Sequence, residues 1–271
     1  MNNFEKLLID HLSASSINRF MADQSGWCVN YLLNQKFKVG YAAFVGKAVE
    51  TGLAQKLFYP KTSLNECTAM AVRQFDAEVK SQGGLMVDDL GEHYEKIKAM
   101  ISLAIEHFKQ FGEPTRSMGN HQHKVKMDFR FGKKPNDKIE TIGYLDFFYE
   151  DKPLIIDLKT TMRAPSKWSQ GHGIQAAIYS FAMNCPVKFV YVTPKKIVEL
   201  TLEEEDKKEF LGIAKSAVIR MNHFLSLSDD PIKLARSAGH DPSSFYWKDN
   251  PTFEQILTKV EKVEKEKSHA A

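Results

Sequence analysis

Asp157-Leu158-Lys159 closes an apolar run, Leu154-Ile155-Ile156, of the kind that makes a buried strand. Alternation along a strand puts the aspartate carboxylate and the lysine ammonium on one face at the strand end. Burying two charges is unfavourable unless they have partners or a chemical task. Upstream, Asp146 interrupts Tyr144, Leu145, Phe147 and Phe148, a second apolar strand expected beside the first. Two acids and a lysine can therefore converge. Adjacent carboxylates repel unless a cation lies between them, and hard oxygen donors favour magnesium or manganese over zinc. In metal-assisted hydrolysis of a phosphodiester, the lysine could hold or help deprotonate the attacking water and offset charge on a phosphorane-like transition state. The competing reading is an Asp157–Lys159 ion pair that serves only the fold, and a D-x-K triplet alone does not separate the two.

The elements that must hold these groups follow from periodicity. Ser63 with Glu66 reads as a capping box, and Tyr94, Ile97, Met100, Ile101, Ala104, Ile105 and Phe108 recur at helical spacing. Two amphipathic helices joined near Gly83 and Gly84 fit this stretch. Ser13 or Ser15 can cap a helix through Phe20, and a further helix is expected from about Ala42 to Phe58. From Lys124 the period becomes two, with Val125, Met127, Phe129 and Phe131 on one face. Pro135, Asn136 and Asp137 mark a turn. Ile139 to Tyr149 and Leu154 to Leu158 then complete an expected three-stranded antiparallel meander. A helix around Ile174 to Met183, strands at Lys188 to Val192 and Ile197 to Leu202, and a long helix opened by a Thr201–Glu204 capping box follow.

Composition bounds the function classes. With 271 residues, 43% hydrophobic and 26% charged, the chain suits one large globular domain and excludes fibrous or disordered classes. No apolar run approaches the roughly 20 residues of a bilayer span. Leu7-Leu8-Ile9 is too short for a signal-peptide core, so a cytoplasmic setting is expected. Cys28, Cys67 and Cys185 are too scattered for a disulfide framework or a metal cage. A net charge of +3 does not argue for a nucleic-acid partner by itself. Its distribution says more: His121, His123, Lys124, Lys126, Arg130, Lys133 and Lys134 crowd one stretch, and Lys159, Arg163 and Lys167 another.

Gly143-Tyr144-Leu145-Asp146, Asp157-Leu158-Lys159, the Gln175 to Tyr179 segment and Gly46-Lys47-Ala48-Val49-Glu50 together resemble the PD-(D/E)XK nuclease superfamily, in its RecB-like and lambda-exonuclease-like branch. They match its G-x-x-D, (D/E)-x-K, Q-x-x-x-Y and upstream helical motifs in order and spacing. The resemblance implies a restriction-endonuclease-like α/β core with a mixed sheet flanked by helices, plus a helical N-terminal region. It implies a single domain over residues 1–271: a helical region over 1–115 carrying Glu50, a catalytic core over 120–225 and an extension over 226–271. Glu50, Asp146, Asp157 and the Leu158 backbone carbonyl would hold Mg2+, with Mn2+ substituting, and Lys159 would act on the nucleophilic water. Gln175 and Tyr179 would support the site and touch the DNA backbone. The activity implied is a metal-dependent exonuclease on linear DNA in recombination or repair, in a bacterial or phage-infected cell. A structure-specific endonuclease and a catalytically silent DNA-binding module of the same fold are the alternatives. A ring of three subunits and a single-strand annealing protein as partner are further implications. The motif departs from the superfamily in lacking the proline before Asp146 and in having Asp157 in place of glutamate. No cysteine follows Cys185, so the iron–sulfur cluster of some relatives is not expected.

Other residues carry two readings each. His172, between Gly171 and Gly173, could touch a phosphate or be a plain loop histidine. Arg163, Lys167 and Trp168 could grip or stack a DNA strand, or be surface residues. Lys124, Lys126 and Arg130 could track phosphates, although a solvated edge strand also carries lysines. Trp27, Trp247, Phe245 and Tyr246 read as packing residues, and the Lys259 to Lys267 tail as a solvated helix face.

Overall fold

A computed structural model describes residues 1–82, 90–117, 122–248 and 250–270. The expected joint at Gly83 and Gly84, His121 and the Phe245 side chain lie outside the described residues. The first half contains α1 (Asn3–Lys6), β1 (His11–Leu12), α2 (Ala14–Ala22), α3 (Gln24–Trp27), a π-helical turn, α4 (Tyr41–Phe58), α5 (Leu64–Ser81), α6 (Gly91–Phe108) and β2 (His123–Arg130). Then come β3 (Lys138–Leu145), β4 (Phe147–Tyr149), β5 (Leu154–Thr160), α7 (Gln170–Met183), β6 (Val187–Val192), β7 (Ile197–Thr201), α8 (Glu204–Leu225), α9 (Pro231–Ser237) and α10 (Phe253–Ala270). Among the described residues, no helix is long and apolar enough to cross a membrane. The three cysteines are buried free thiols.

The chain divides into two compact units, one of Met1–Lys38, Lys126–Gly143 and Lys208–Ala271, the other of Val39–Val125 and Tyr144–Lys207. In the first, β1 pairs in parallel with β3 and the sheet order is β1-β3-β2. The expected alternation on β2 holds, with Val125 and Phe129 buried. Its outward Lys126 pairs with Glu140 and its Asp128 with Lys138 at 2.6 Å, so those charges act as a solvated, mutually neutralised face. Ser13 caps α2 through a capping box closed by Ser16, and its buried Ile17 and Phe20 follow the apolar spacing. Phe20 packs edge-on to Trp27, and Phe37 does the same to Trp247. Both tryptophans are buried, as packing residues.

The second unit is three layers deep. Its sheet runs β4-β5-β6-β7, antiparallel except where β5 and β6 run parallel, and α7 makes that crossover. Ser63 and Glu66 close the expected capping box of α5. Phe44, Ala48, Leu53, Phe75, Ile101 and Phe108 of α4, α5 and α6 pack with Ile156, Leu158, Val190 and Val192 of the sheet in one apolar core. Each of these Val, Leu, Ile and Phe side chains contributes about 1.5–3 kcal/mol on burial, so this layer fixes where the ends of β5 lie. Gly52 lets α4 approach its neighbours: a Cβ there would meet Ile101 Cδ1 at 2.7 Å and the Cys67 carbonyl oxygen at 3.1 Å. Gly52→Ala is expected to destabilise by about 1–2 kcal/mol, the overpacking penalty exceeding the gain in helix propensity. Urea unfolding would show it as a lower midpoint at unchanged slope.

The structure corrects two local expectations. The strand through Ile139 to Tyr149 is not continuous, so the three-stranded meander does not form: β3 and β4 belong to different sheets and part at Asp146. The cause is local. β4 pairs Phe147 with Ile156, and the next partner on β5, the Leu158 N–H, donates to Asp146 Oδ2 at 2.9 Å instead of to a strand carbonyl. Thr201 ends β7 and α8 starts at Glu204, so the anticipated Thr201–Glu204 capping box is out of register. Glu204, Glu205 and Asp206 in the first turn favour the helix N-terminus through its dipole.

Candidate active site

Strand alternation on β5 turns Ile156 and Leu158 into the helical core and leaves Asp157 and Lys159 on the opposite face, under α7. Asp157 is 1% exposed, and its Oδ2 lies 2.5 Å from Lys159 Nζ. Among the described residues, that oxygen has no partner beyond this ion pair. Asp146, also buried, sits at the strand break with one oxygen on the Leu158 N–H. Glu50 reaches the same place from α4: the Gln122 side-chain amide donates to Glu50 Oε1 at 2.9 Å and to Asp146 Oδ1 at 3.2 Å. From α7, Gln175 Nε2 donates to Asp157 Oδ1 at 3.3 Å and to the Tyr179 hydroxyl at 2.9 Å, and Tyr179 donates to the Tyr144 carbonyl. The six residues expected to form the centre thus fall inside one unit in two bonded groups, Glu50 with Asp146 through Gln122, and Lys159, Asp157, Gln175 and Tyr179.

Electrostatics mark the place. Burial, followed by the charges of Asp157 and Glu50, pushes the Asp146 carboxyl well above its ordinary range. Burial also raises Asp157, against the opposing pull of Lys159. For Lys159 burial acts downward, but Asp157, Asp146 and Glu50 outweigh it and hold the ammonium charged. A pair of buried acids driven towards protonation, with a lysine as their neighbouring cation, is an under-neutralised cluster. Among the described residues, no three His, Cys, Asp or Glu side chains are gathered tightly enough to grasp an ion as they stand. Gln122 and Lys159 take the carboxylate oxygens instead. The donor set nevertheless fits a hard divalent cation, being all oxygen and mutually repelling, with Asp146 and Asp157 buried.

Comparison with family models and with curated proteins gives no match. Among solved structures, the chain is similar to a protein of Eubacterium rectale described as a candidate exonuclease, at a TM-score of 0.59 and 13% identity, over 90% of this chain and 89% of that one. The likeness lies in the fold. A second structure, of SSO0001, covers 64% of this chain and 85% of its own at 17% identity and a TM-score of 0.34, too loose to carry an argument. The mixed sheet flanked by helices, expected from the motifs, is the architecture present.

The more peripheral residues separate into two groups. Arg163 and Lys167 stand exposed on the segment between β5 and α7 and make no ion pair among the described residues. Trp168 does not stand free as a stacking platform but packs edge-on to Phe189 at 5.1 Å. His172 is not a loop residue: Ser169 caps α7 by accepting from the His172 N–H, which places this histidine in the first turn. Its Nδ1 meets the Tyr191 hydroxyl at 2.8 Å. Gln122, Phe189 and Tyr191 were not singled out by sequence. A lone glutamine ahead of a strand carries no signature. The two aromatics had a usable one, since aligning β6 in parallel with β5 sets Phe189 opposite Asp157 and Tyr191 opposite Lys159.

Proposed function

We propose that the chain is a divalent-metal-dependent nuclease of the PD-(D/E)XK superfamily, in its RecB-like and lambda-exonuclease-like branch, acting on linear DNA as an exonuclease. The observation that carries this reading is the meeting of Asp146, Asp157 and Lys159 at adjoining strand ends, with Glu50 joined to Asp146 through Gln122. The fold shared with the Eubacterium rectale protein supports it. Glu50, Asp146, Asp157 and the Leu158 carbonyl would hold Mg2+ or Mn2+, which supplies positive charge to the scissile phosphate.

The rest is done by the chain. Lys159, held as an ammonium, hydrogen-bonds the attacking water and offsets negative charge as that water adds to phosphorus. The P–O3′ bond breaks, the departing O3′ takes a proton from solvent, and the proton of the attacking water is released to solvent. The products are a 5′-phosphate and a 3′-hydroxyl. Gln175 and Tyr179 fix Asp157 and the Tyr144 backbone, so the carboxylate does not swing when a substrate enters.

Linear duplex DNA labelled at either end, its single strand and a closed circle, each with Mg2+ or EDTA, test this. Loss of label from one end, abolished by EDTA, is the expected result and gives polarity. Cutting of the circle would make the enzyme an endonuclease. DNA that is bound but uncut in both Mg2+ and Mn2+ would refute catalysis and leave a binding module.

A further inference from the structure

β5 and β6 pair Asp157 with Phe189 and Lys159 with Tyr191, so the two aromatic rings stand on the same sheet face as the acid and the lysine. That face lies under α7. His172, Gln175 and Tyr179 fall at i, i+3 and i+7 of α7 and share one side of it. Gln175 and Tyr179 use that side to reach Asp157 and the Tyr144 carbonyl, which places His172 on the site side as well. Its ring centroid lies 5.7 Å from Phe189, over which Lys159 Nζ is suspended at 4.9 Å. Imidazole and ammonium therefore share one aromatic floor.

The polarity of the His172–Tyr191 contact can be decided by hydrogen-bond supply. Tyr191 is 2% exposed, and His172 Nδ1, at 2.8 Å, is the only polar partner of its hydroxyl among the described residues. If Nδ1 carried the proton, the phenol O–H would point at a donor and be left buried without an acceptor. If Nδ1 is bare, the phenol donates to it and both groups are satisfied. The single N–H of the neutral ring is then at Nε2. Burial and the Lys159 charge, which hold the imidazole low at about 4, agree with a neutral ring.

We propose that Tyr191 fixes His172 as the Nε2–H tautomer and that this N–H donates a hydrogen bond to a phosphate oxygen of the nucleic-acid strand in the candidate site. The tautomer stands on the geometry alone; the phosphate contact rests on the nuclease reading. Tyr191 acts through His172 and is a positioning residue. The Nε2–H donor keeps its direction without a change of charge, complementing Lys159, which supplies the charge.

Nitrogen-15 spectra of the histidine-labelled protein test the first half, with the His172 signal assigned by its loss in His172→Gln. The wild type should show a single Nε2–H tautomer, and Tyr191→Phe, which keeps the ring and the packing, a mixture. An Nδ1–H tautomer in the wild type, or an unchanged tautomer in Tyr191→Phe, would overturn it. For the second half, binding of a short fluorescent single-stranded oligonucleotide is measured in EDTA, beside cleavage in Mg2+. His172→Ala should weaken binding about tenfold and lower kcat/KM about 100-fold, the scale of one lost donor to a developing oxyanion. His172→Gln, which offers an amide N–H at similar reach, should recover part of both. Binding and cleavage by His172→Ala equal to wild type would overturn the phosphate contact. Wild-type protein that cleaves nothing, yet shows the Nε2–H tautomer, would refute the nuclease reading and the phosphate contact with it, leaving the tautomer assignment intact.

Discussion

Lys159→Ala is expected to stop DNA cleavage and to weaken the fold in one step. The reason is Asp157, which is 1% exposed and has this ammonium as its ion-pair partner. Removing one member of a buried pair strands the other charge, a loss of about 3–5 kcal/mol, while a missing charge at the reacting phosphate lowers the rate by about 10²–10³-fold or more. A second substitution separates the two effects. Asp157→Asn in the Lys159→Ala background removes the stranded charge, so denaturant unfolding should recover most of the lost stability while cleavage of end-labelled duplex stays absent. A Lys159→Ala protein as stable as wild type would mean that Asp157 finds another counter-charge. One that cleaves at the wild-type rate would end the proposed role of Lys159.

Asp146→Asn is expected to move stability the other way. Burial and the neighbouring acids raise the Asp146 carboxyl from its ordinary 3.8, so the folded state binds more protons than the unfolded chain. Stability from this group is therefore greatest below 3.8 and is lost as pH rises through the raised value. Asparagine keeps an oxygen for the Leu158 N–H and has no charge to bury. In metal-free protein the variant should be more stable than wild type by about 1–3 kcal/mol at neutral pH, with the difference shrinking towards zero as pH falls below 3.8. Adding Mg2+ should reverse the order: at about 100 times Kd, binding to the native state adds about 2.7 kcal/mol, which only the intact acid cluster gains. Thermal unfolding at several pH values, with Mg2+ or EDTA, measures both halves. A variant less stable than wild type in EDTA would show that the Gln122 bridge outweighs the repulsion.

The meeting of the charged residues is more legible than the scaffold that brings them together. Asp146, Asp157 and Lys159 announce themselves because charged residues inside apolar strands are physically expensive, and periodicity placed α4 and α5 to within a residue or two. The same carboxylate hid the topology. Alternation continues through Tyr144 to Phe148, and nothing in it reveals that the Asp146 side chain takes the place of a backbone acceptor and splits the strand between two sheets. Gln122 was equally silent, since its role depends on meeting Glu50 and Asp146 from distant stretches of chain. His172 was misplaced because the glycines on either side imitate a loop, whereas Ser169 begins the helix before them.

The interleaving of the two units sets an order on their birth. The chain crosses between them at Lys38, Val125, Gly143 and Lys207, so neither unit is a continuous stretch that could finish before the other begins. During synthesis α4, α5 and α6 can pair locally at once, but Ile156, Leu158, Val190 and Val192, which complete their core, emerge only much later. A nascent chain arrested ahead of β5 thus carries a helical cluster with its apolar side still uncovered, a species prone to association. Glu50 has by then long left the ribosome, waiting for the strands that will give its charge a neighbour.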